Sequence, residues 1–204
     1  MIDSIYANEE ALKNVSHRLA VGDMWEEVGK LQFDFMLENG LLPDHTFLDI
    51  GCGSFRGGRH FINYLNREKY YGLDISNHLI NEGINNELVP SGLDLKLHMN
   101  ALKVSDQFDI QQFGINFDYA LAFSLFTHLS FNNIRVCLEN ARPHVDKLFA
   151  TFFLPDSGIV DTYPNRDPFH YTIDDIMYLA RCTGWEGYFP AFDHPRNQKM
   201  VIFL

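Results

Sequence analysis

The chain has 204 residues, of which 46% are hydrophobic and 21% are charged, and its formal net charge is −11 at pH 7. This length and composition are typical of a single globular domain with a buried core. An acidic chain without a run of lysines and arginines is repelled by phosphate backbones, so we expect no nucleic acid partner.

The three cysteines, Cys52, Cys137 and Cys182, lie far apart and form no CxxC pair. They predict neither a disulfide framework nor a structural zinc site, and a reducing cytoplasm is the simplest compartment. The N-terminus lacks the features of a signal peptide, and no segment approaches the roughly 20 apolar residues of a membrane span. We therefore expect a cytoplasmic protein without a membrane partner, and the sequence leaves its oligomeric state open.

Residues 1–43 are expected to form a helical cap and residues 44–204 a core, within one domain that spans 1–204. In the cap, apolar residues recur at helical spacing from Trp25 onward. Asp23 begins a capping-box pattern, which predicts that the helix starts at this point.

The core alternates between apolar runs of strand length and segments with helical periodicity. The predicted strands cover 46–50, 70–74, 93–98, 118–123, 147–154, 186–192 and 198–204. The predicted helices cover 57–65, 77–84, 130–142 and 172–183. This alternation indicates an α/β fold with a Rossmann-like, doubly wound sheet of seven mostly parallel strands. The last two strands flank a turn at 193–197, so a C-terminal hairpin is expected to make one strand antiparallel.

A glycine-rich turn follows the first core strand. Gly51 and Gly53 carry no Cβ atom, so a ligand can approach the backbone closely at this turn. Asp49 stands just before the glycines, near the carboxyl end of the strand, which is the edge of an open α/β sheet where ligands bind. The turn lacks the Gly-Lys-Ser/Thr of a phosphate-binding loop, and the spacing from Gly51 to Gly57 is GxGxxxG rather than the GxGxxG of a dinucleotide site. An acid at this position favours a cationic ligand over a pyrophosphate.

A second acid, Asp74, ends the second core strand, 23 residues beyond Gly51. This distance is close to the spacing of about 20 residues expected of a carboxylate that accepts the hydroxyls of an unphosphorylated ribose. Ile75 would then lie against the base.

The stretch 47–58 resembles motif I of the class I S-adenosylmethionine-dependent methyltransferases, whose cofactor carries an ammonium and a sulfonium group. Further stretches resemble this family in the same order along 44–204, namely Asp74, 99–101, 117–129 and 194–200. The resemblance implies S-adenosylmethionine as cofactor, S-adenosylhomocysteine as product and the strand order 3-2-1-4-5-7-6. The cofactor-binding residues that it implies are Trp25, Asp49, Gly51, Cys52, Gly53, Arg56, Gly57, Asp74, Ile75, Asn100, Ala101 and Phe123.

Within that set, the loop 51–53 is expected to contact the methionine part of the cofactor through its backbone, and Asp49 to position the amino group. Asn100 is expected to follow the third strand and to meet the adenine amino group. Arg56 has two interpretations, since it either faces solvent or pairs with a carboxylate of the cofactor or acceptor, or with a phosphate of the acceptor. The helix from Trp25 onward resembles one that can lie across the cofactor in some bacterial members.

The segment after the fourth strand lacks the Asn-Pro-Pro-Tyr type of motif found in many methyltransferases of amino groups in nucleic acid or protein. This favours O-methylation of a small soluble metabolite. By analogy with bacterial relatives associated with surface-glycan pathways, the acceptor is expected to be a sugar, a nucleotide-linked sugar or a phospho-ester. N-methylation of a small metabolite and a non-catalytic cofactor-binding partner protein are the alternatives. A nicotinamide-dependent oxidoreductase is disfavoured, because it predicts GxGxxG spacing and no terminal hairpin.

A hydroxyl is a poor nucleophile, so methyl transfer to it is helped by a nearby base. Histidine is the side chain suited to this role near neutral pH, so His128, in the loop after the fourth strand, is the first candidate and His170 is the second. The residues expected to contact the acceptor are Ser124, Asp156, Tyr163, Tyr171 and His194. Ordinary packing or hydrogen bonding within the loops is the alternative role for His128, His170, Tyr171 and His194. No cluster has metal-ligand spacing, so no metal is expected.

Overall fold

The structure is a computed structural model that describes residues 9–22, 24–155 and 168–204. Its contacts divide the chain into two compact units, of which one ends at Asp106 and the other begins at Gln107. The expectation of a single domain over 1–204, with a cap over 1–43, stays a prediction. Asp23, Asp156 and Tyr163 lie outside the described residues.

The first unit begins with helices and continues with three strands that alternate with helices. Its helices are α1 Glu9–Leu12, α2 His17–Ala20, α3 Trp25–Glu38, α4 Gly58–Tyr64 and α5 Asn77–Gly83, and α5 continues as a π-helix, Ile84–Leu88. Its strands are β1 Phe47–Ile50, β2 Tyr70–Asp74 and β3 Leu102–Val104. The helix predicted in the cap begins at Trp25, and its N-cap residue is Met24 in a left-handed conformation, φ 66°.

Strands β1, β2 and β3 run parallel, and β1 is buried along its whole length. The register pairs Asp49 with Gly72 and Asp74 with Val104. The carboxyl ends of β1 and β2 therefore lie at one edge of the sheet, and the predicted positions of both strands are confirmed to within one residue.

The predicted third strand over 93–98 is wrong, because β3 lies nearer the C-terminus. Residues Leu93–Lys96 form a 3-10 helix that follows Gly92 in a left-handed conformation. Leucines alternate with polar residues in this stretch, which is the pattern typical of a half-buried strand, yet Leu95 is 70% exposed. β3 itself is a short edge strand with no fully buried residue, so its sequence carries little apolar signal.

The second unit begins with a short 3-10 helix, has another after its first strand and contains the remaining strands. Its helices are α6 Phe131–Ala141 and α7 Ile173–Cys182, and its 3-10 helices are Ile110–Phe113 and Phe126–His128. Its strands are β4 Phe117–Ala122, β5 Val145–Phe152, β6 Gly187–Tyr188 and β7 Lys199–Phe203. Helix α7 starts with a capping box, in which the Thr172 hydroxyl accepts from the Asp175 N–H and the Asp175 carboxylate accepts from the Thr172 N–H.

β4 and β5 run parallel, whereas β7 runs antiparallel to both β5 and β6. The expectation of one antiparallel strand in a C-terminal hairpin is confirmed, although β6 is much shorter than predicted. The seven strands form one sheet in the order β3-β2-β1-β4-β5-β7-β6, as the resemblance implies.

Candidate active site

The glycine loop after β1 adopts backbone conformations that glycine permits. φ is 78° at Gly51 and 51° at Gly53, a region that residues with a side chain rarely adopt. The N–H groups of Gly51 and Cys52 donate to the carbonyl oxygen of Leu73 at 2.7 and 3.2 Å. Cys52 thus bonds through its backbone while its side chain is buried, and the loop is tied to β2.

Asp74 joins this loop to the start of α5. Its Oδ2 accepts from the Gly53 N–H and its Oδ1 accepts from the Ser76 N–H, both at 2.8 Å. Burial raises the pKa of the Asp74 carboxyl, and the bonds from Ser76 and Gly53 oppose that rise. A carboxylate has about four lone-pair sites, so acceptor capacity remains for hydroxyl donors.

Asp49 is a buried acid at the carboxyl end of β1, with 5% of its surface exposed. Its Oδ2 accepts a 2.8 Å hydrogen bond from the Tyr70 hydroxyl. Burial raises the pKa of Asp49 to about 7, while the bond from Tyr70 and the charge of Arg56 lower it and the charge of Asp74 raises it. A cation placed beside such a carboxyl stabilises its ionised form.

These two acids fit the chemistry of S-adenosylmethionine. An ammonium group would supply the positive charge that favours an ionised Asp49, and ribose hydroxyls would find the remaining acceptor sites of Asp74. Ile75 follows Asp74 directly and is half-buried, so it is available to an adjoining base.

Arg56 and Gly57 serve the packing between the glycine loop and the N-terminal helices. Arg56 is buried, and its Nη1 donates to the carbonyl oxygen of Gly22 at 3.5 Å, so it does not face solvent. A Cβ atom at Gly57 would lie 2.2 Å from Oε1 of Gln32 in α3. The close approach of α3 therefore explains the glycine at position 57 without a ligand.

The segment that carries α2 lies on the glycine loop. The Ser54 hydroxyl donates to the carbonyl oxygen of His17 at 3.0 Å, and a Cβ atom at Gly53 would lie 2.7 Å from Cγ1 of Val21. The Glu87 carboxylate, in the π-helix, accepts from His17 Nε2 at 2.8 Å and from Arg18 at 2.6 and 3.0 Å. Burial alone would raise the pKa of the Glu87 carboxyl. The hydrogen bonds from Arg18 and His17 outweigh burial, so the pKa lies below its ordinary value. No sequence pattern pointed to Glu87.

Trp25 is buried at the start of α3 beside two guanidinium groups. The Arg18 and Arg59 groups lie 5.0 and 5.6 Å from the centre of its ring, and the His17 ring meets it edge-on at 5.9 Å. These contacts give Trp25 a place in the packing of the cap, and its expected contact with the cofactor stays a prediction.

The placement of Asn100 and Ala101 after β3 is wrong, because both residues precede that strand. Asn100 is exposed, and the buried Ala101 accepts from the Gly72 N–H through its carbonyl oxygen at 2.9 Å. The residue that follows the carboxyl end of β3 is Ser105, whose N–H donates to the carbonyl oxygen of Asp74 at 3.0 Å. Because the third strand lies at Leu102–Val104 and not at 93–98, the residues expected to follow it precede it instead.

In the second unit, Phe123 and Ser124 follow the carboxyl end of β4. Phe123 is buried, and its ring centre lies 5.4 Å from that of His194 and 6.1 Å from that of Phe192. Ser124 has φ 54°, and its hydroxyl donates to Oε1 of Gln198 at 3.1 Å. Gln198 carried no signal in the sequence, since a lone glutamine before a strand has many ordinary roles.

The three candidate histidines have different surroundings. His128 is half-buried at the end of its 3-10 helix, and the exposed His170 stacks on Phe153 at 5.3 Å. His194 is buried, and its Nδ1 accepts from the Arg196 N–H at 3.0 Å, which places the proton of the neutral ring on Nε2.

Tyr171 belongs to the packing of the second unit. Its hydroxyl donates to the carbonyl oxygen of Leu129 at 2.7 Å, its ring stacks on that of Phe169, and burial raises its pKa. These contacts favour the structural alternative over contact with an acceptor.

Across the described ranges, no three His, Cys, Asp or Glu side chains gather as a metal site would require. Within the same ranges, no helix is both long enough and apolar enough to cross a lipid bilayer.

Residues 48–147 match the sequence model of a family described as a methyltransferase domain. This stretch contains the glycine loop, Asp74 and the loop after β4. The match thus falls on the residues whose geometry fits the cofactor.

Solved structures with the same fold include methyltransferases from several organisms. Magnesium protoporphyrin IX methyltransferase from Synechocystis PCC 6803 with bound SAM has a TM-score of 0.62 and 15% identity, over 87% of this chain and 80% of that one. An O-methyltransferase family protein from Burkholderia thailandensis has a TM-score of 0.65 and 12% identity, over 89% of this chain and 57% of that one. A SAM-dependent methyltransferase from Methanosarcina mazei has a TM-score of 0.57 and 18% identity, over 82% of this chain and 94% of that one. At these identities the likeness establishes the fold.

Proposed function

Because this chain belongs to the class I S-adenosylmethionine-dependent methyltransferases, we propose that it methylates an oxygen of a small soluble acceptor. The cofactor, when bound, supplies a methyl group on a positively charged sulfur. The product of that transfer is S-adenosylhomocysteine.

Two acids arranged around one glycine loop support the assignment of the cofactor residues most directly. Asp74 fixes the loop through the Gly53 N–H and keeps acceptor capacity for ribose hydroxyls. Asp49 is a buried carboxyl whose ionised form a neighbouring ammonium group would stabilise. In this proposal Ser105 and Asp106, at the carboxyl end of β3, take the adenine-facing place first expected of Asn100.

An oxygen acceptor is supported by the groups after β4. The segment from Phe123 to Leu129 has no Asn-Pro-Pro-Tyr motif and offers a hydroxyl and an imidazole. An O-methyltransferase family protein from Burkholderia thailandensis shares the fold. Within this class we propose a sugar, a nucleotide-linked sugar or a phospho-ester metabolite. N-methylation of a small metabolite and a non-catalytic cofactor-binding partner are the alternative functions.

The proposed base is His128, whose imidazole would accept the proton that the acceptor hydroxyl loses. His170 is the second candidate, and Ser124 and His194 are proposed to contact the acceptor. His128→Ala is expected to keep the affinity for S-adenosylhomocysteine and to lose turnover. Full turnover in this variant would remove His128 from the mechanism.

Calorimetric titration with S-adenosylhomocysteine tests the cofactor site. We expect binding by the wild type, together with a higher melting temperature in the presence of the ligand. Asp74→Ala is expected to lose at least tenfold in affinity, because ribose hydroxyls lose their acceptor and the loop loses its tie at Gly53. Asp34→Ala, at an exposed ion pair with Lys30 in α3, is the matched control and should bind normally.

Two results would contradict the proposal. A wild-type protein that binds no S-adenosylhomocysteine lacks a working cofactor site. An Asp74→Ala variant with unchanged affinity places the ribose elsewhere.

A further inference from the structure

Gln198 is a deeply buried amide whose nitrogen has no hydrogen-bond acceptor within the described part of the chain. Only 4% of its surface is exposed, and its Oε1 accepts from the Ser124 hydroxyl at 3.1 Å. Buried polar side chains in folded proteins are nearly always hydrogen-bonded. The Nε2 atom is not among the described polar atoms that are both fully buried and without a partner, so it keeps some accessible surface and is a donor that a ligand can reach.

Gln198 stands at the edge of the sheet where ligands bind. It directly precedes β7, whose first residue, Lys199, pairs with Phe152 at the end of β5. Because β7 runs antiparallel to β5, its beginning lies at the carboxyl ends of the parallel strands, which is the ligand edge of an open α/β sheet. Ser124, at the carboxyl end of β4, lies at the same edge.

Ser124 is held firmly enough to orient the Gln198 amide. Its N–H donates to Oγ1 of Thr151 at 2.7 Å, and its carbonyl oxygen accepts from Oγ1 of Thr127 at 3.0 Å. Both threonines are fully buried. Ser124 also has φ 54°, a strained conformation for a residue with a side chain and one that is concentrated at functional sites.

Aromatic rings adjoin this pair. The ring of Phe123, the residue before Ser124, lies close to the rings of Phe192 and His194, and Phe192 is half-buried. An apolar face beside an amide donor suits a ring-shaped ligand that carries oxygens on its rim.

We propose that Gln198 determines acceptor specificity by donating a hydrogen bond to one oxygen of a vicinal diol, whose other oxygen is methylated. A hydrogen bond donated to the reacting oxygen would stabilise its lone pairs and lower its nucleophilicity, so the amide serves the neighbouring oxygen. Sugars and catechols share this diol. The inference rests on the proposed methyltransferase function and narrows its acceptor.

Nuclear magnetic resonance tests this role in the full chain saturated with S-adenosylhomocysteine. The side-chain amide signal of Gln198 is assigned by its loss in Gln198→Leu. The probes are catechol and methyl α-glucoside, which carry neighbouring hydroxyls, and phenol and cyclohexanol, which carry one. We expect at least one diol to shift the amide signal and to bind about tenfold more tightly than its single-hydroxyl counterpart.

Gln198→Glu keeps the acceptor for Ser124 and removes both donors. We expect diol affinity to fall about tenfold while the affinity for S-adenosylhomocysteine is unchanged, and Gln198→Leu should give the same result without a buried charge. Gln112→Glu, on the exposed side of the 3-10 helix Ile110–Phe113, is the matched control.

A shift with methyl α-glucoside alone supports a sugar acceptor, and a shift with catechol alone supports a phenolic one. The inference is overturned if neither diol moves the amide signal, or if phenol and cyclohexanol move it equally well. Failure of the wild type to bind S-adenosylhomocysteine, which is measured first, would instead refute the proposed function.

Discussion

The Tyr70 hydroxyl on β2 donates a hydrogen bond to the buried Asp49 carboxylate on the neighbouring strand β1. In the register of β1 and β2, Asp49 is paired with Gly72, and Tyr70 lies two residues earlier on β2. A Cβ atom at Gly58, the first residue of α4, would lie 2.5 Å from the Tyr70 hydroxyl, so this glycine leaves room for the hydroxyl, which donates to Asp49 at 2.8 Å. This bond helps to set the charge of the residue proposed to position the amino group of the cofactor.

The affinity for S-adenosylhomocysteine is expected to rise as the pH increases from about 6 to about 8. The pKa of Asp49 is raised to about 7, so the carboxyl is mostly protonated at the lower pH and pairs poorly with an ammonium group. In Tyr70→Phe the hydrogen bond that lowers this pKa is lost, and the midpoint should move to higher pH. Calorimetric titrations across this range measure both midpoints, and a wild-type affinity that is flat with pH would contradict the assignment.

Asp49→Asn is expected to separate stability from binding. The pKa of Asp49 is higher in the folded chain than its ordinary value of 3.8. Without ligand, the free energy of unfolding therefore falls as the pH rises from about 4 to about 7. The asparagine has no charge to bury, so at pH 8 the variant should gain roughly 1–3 kcal/mol over the wild type and bind S-adenosylhomocysteine more weakly.

Urea unfolding at pH 5 and pH 8 checks the stability of both proteins, and calorimetry checks the binding. A variant less stable than the wild type at pH 8 would show that the Asp49 charge already has a stabilising partner in the folded chain.

Glu87→Gln is expected to loosen the segment around α2. The Glu87 side chain is 6% exposed and accepts from His17 and Arg18, and charged hydrogen bonds of this kind contribute about 2 kcal/mol. S-adenosylhomocysteine should dissociate several-fold faster, because Val21 and the His17 carbonyl then hold the glycine loop less firmly. Stopped-flow dissociation and urea unfolding measure the two effects.

Glu139→Gln serves as the control for that change, because Glu139 forms an exposed i,i+4 pair with Arg135 and should alter neither quantity. If both variants dissociate the ligand at the wild-type rate, the segment around α2 has no part in holding the cofactor.

Gly57→Ala is expected to destabilise the fold by about 1–3 kcal/mol. The added methyl group would lie 2.2 Å from Oε1 of Gln32, which is itself buried. The double variant with Gln32→Ala should recover part of the loss, because the shorter side chain leaves space. Urea unfolding of the four proteins of this cycle measures the coupling, and the absence of recovery would show that the clash with Gln32 is not the cause of the destabilisation.

The glycine loop and the two acids could be predicted from the sequence because their chemistry is local. Gly51, Gly53 and Asp49 combine turn conformation with a strand end, and Asp74 ends a run of buried residues. Each feature is decided by neighbours a few residues away.

The partners of these residues could not be predicted, because they depend on register and packing between distant segments. Tyr70 meets Asp49 only through the pairing of β1 with β2, and Glu87 meets Arg18 across 69 residues of chain. Gln198 reaches Ser124 only because β7 runs antiparallel to β5. The third strand was misplaced for the opposite reason, since the regular leucine spacing of 93–97 satisfies a local rule that tertiary packing overrides.

The reactivity of the Cys52 thiol reports on the opening of the glycine loop. Its thiol is buried and burial raises its pKa, whereas the Cys182 thiol is exposed. Because the thiolate is the form that alkylating reagents and oxidants attack, such reagents reach Cys182 first and spare Cys52 while the loop is closed. The rate of Cys52 alkylation therefore measures how often the glycine loop opens, and a bound cofactor should slow this alkylation.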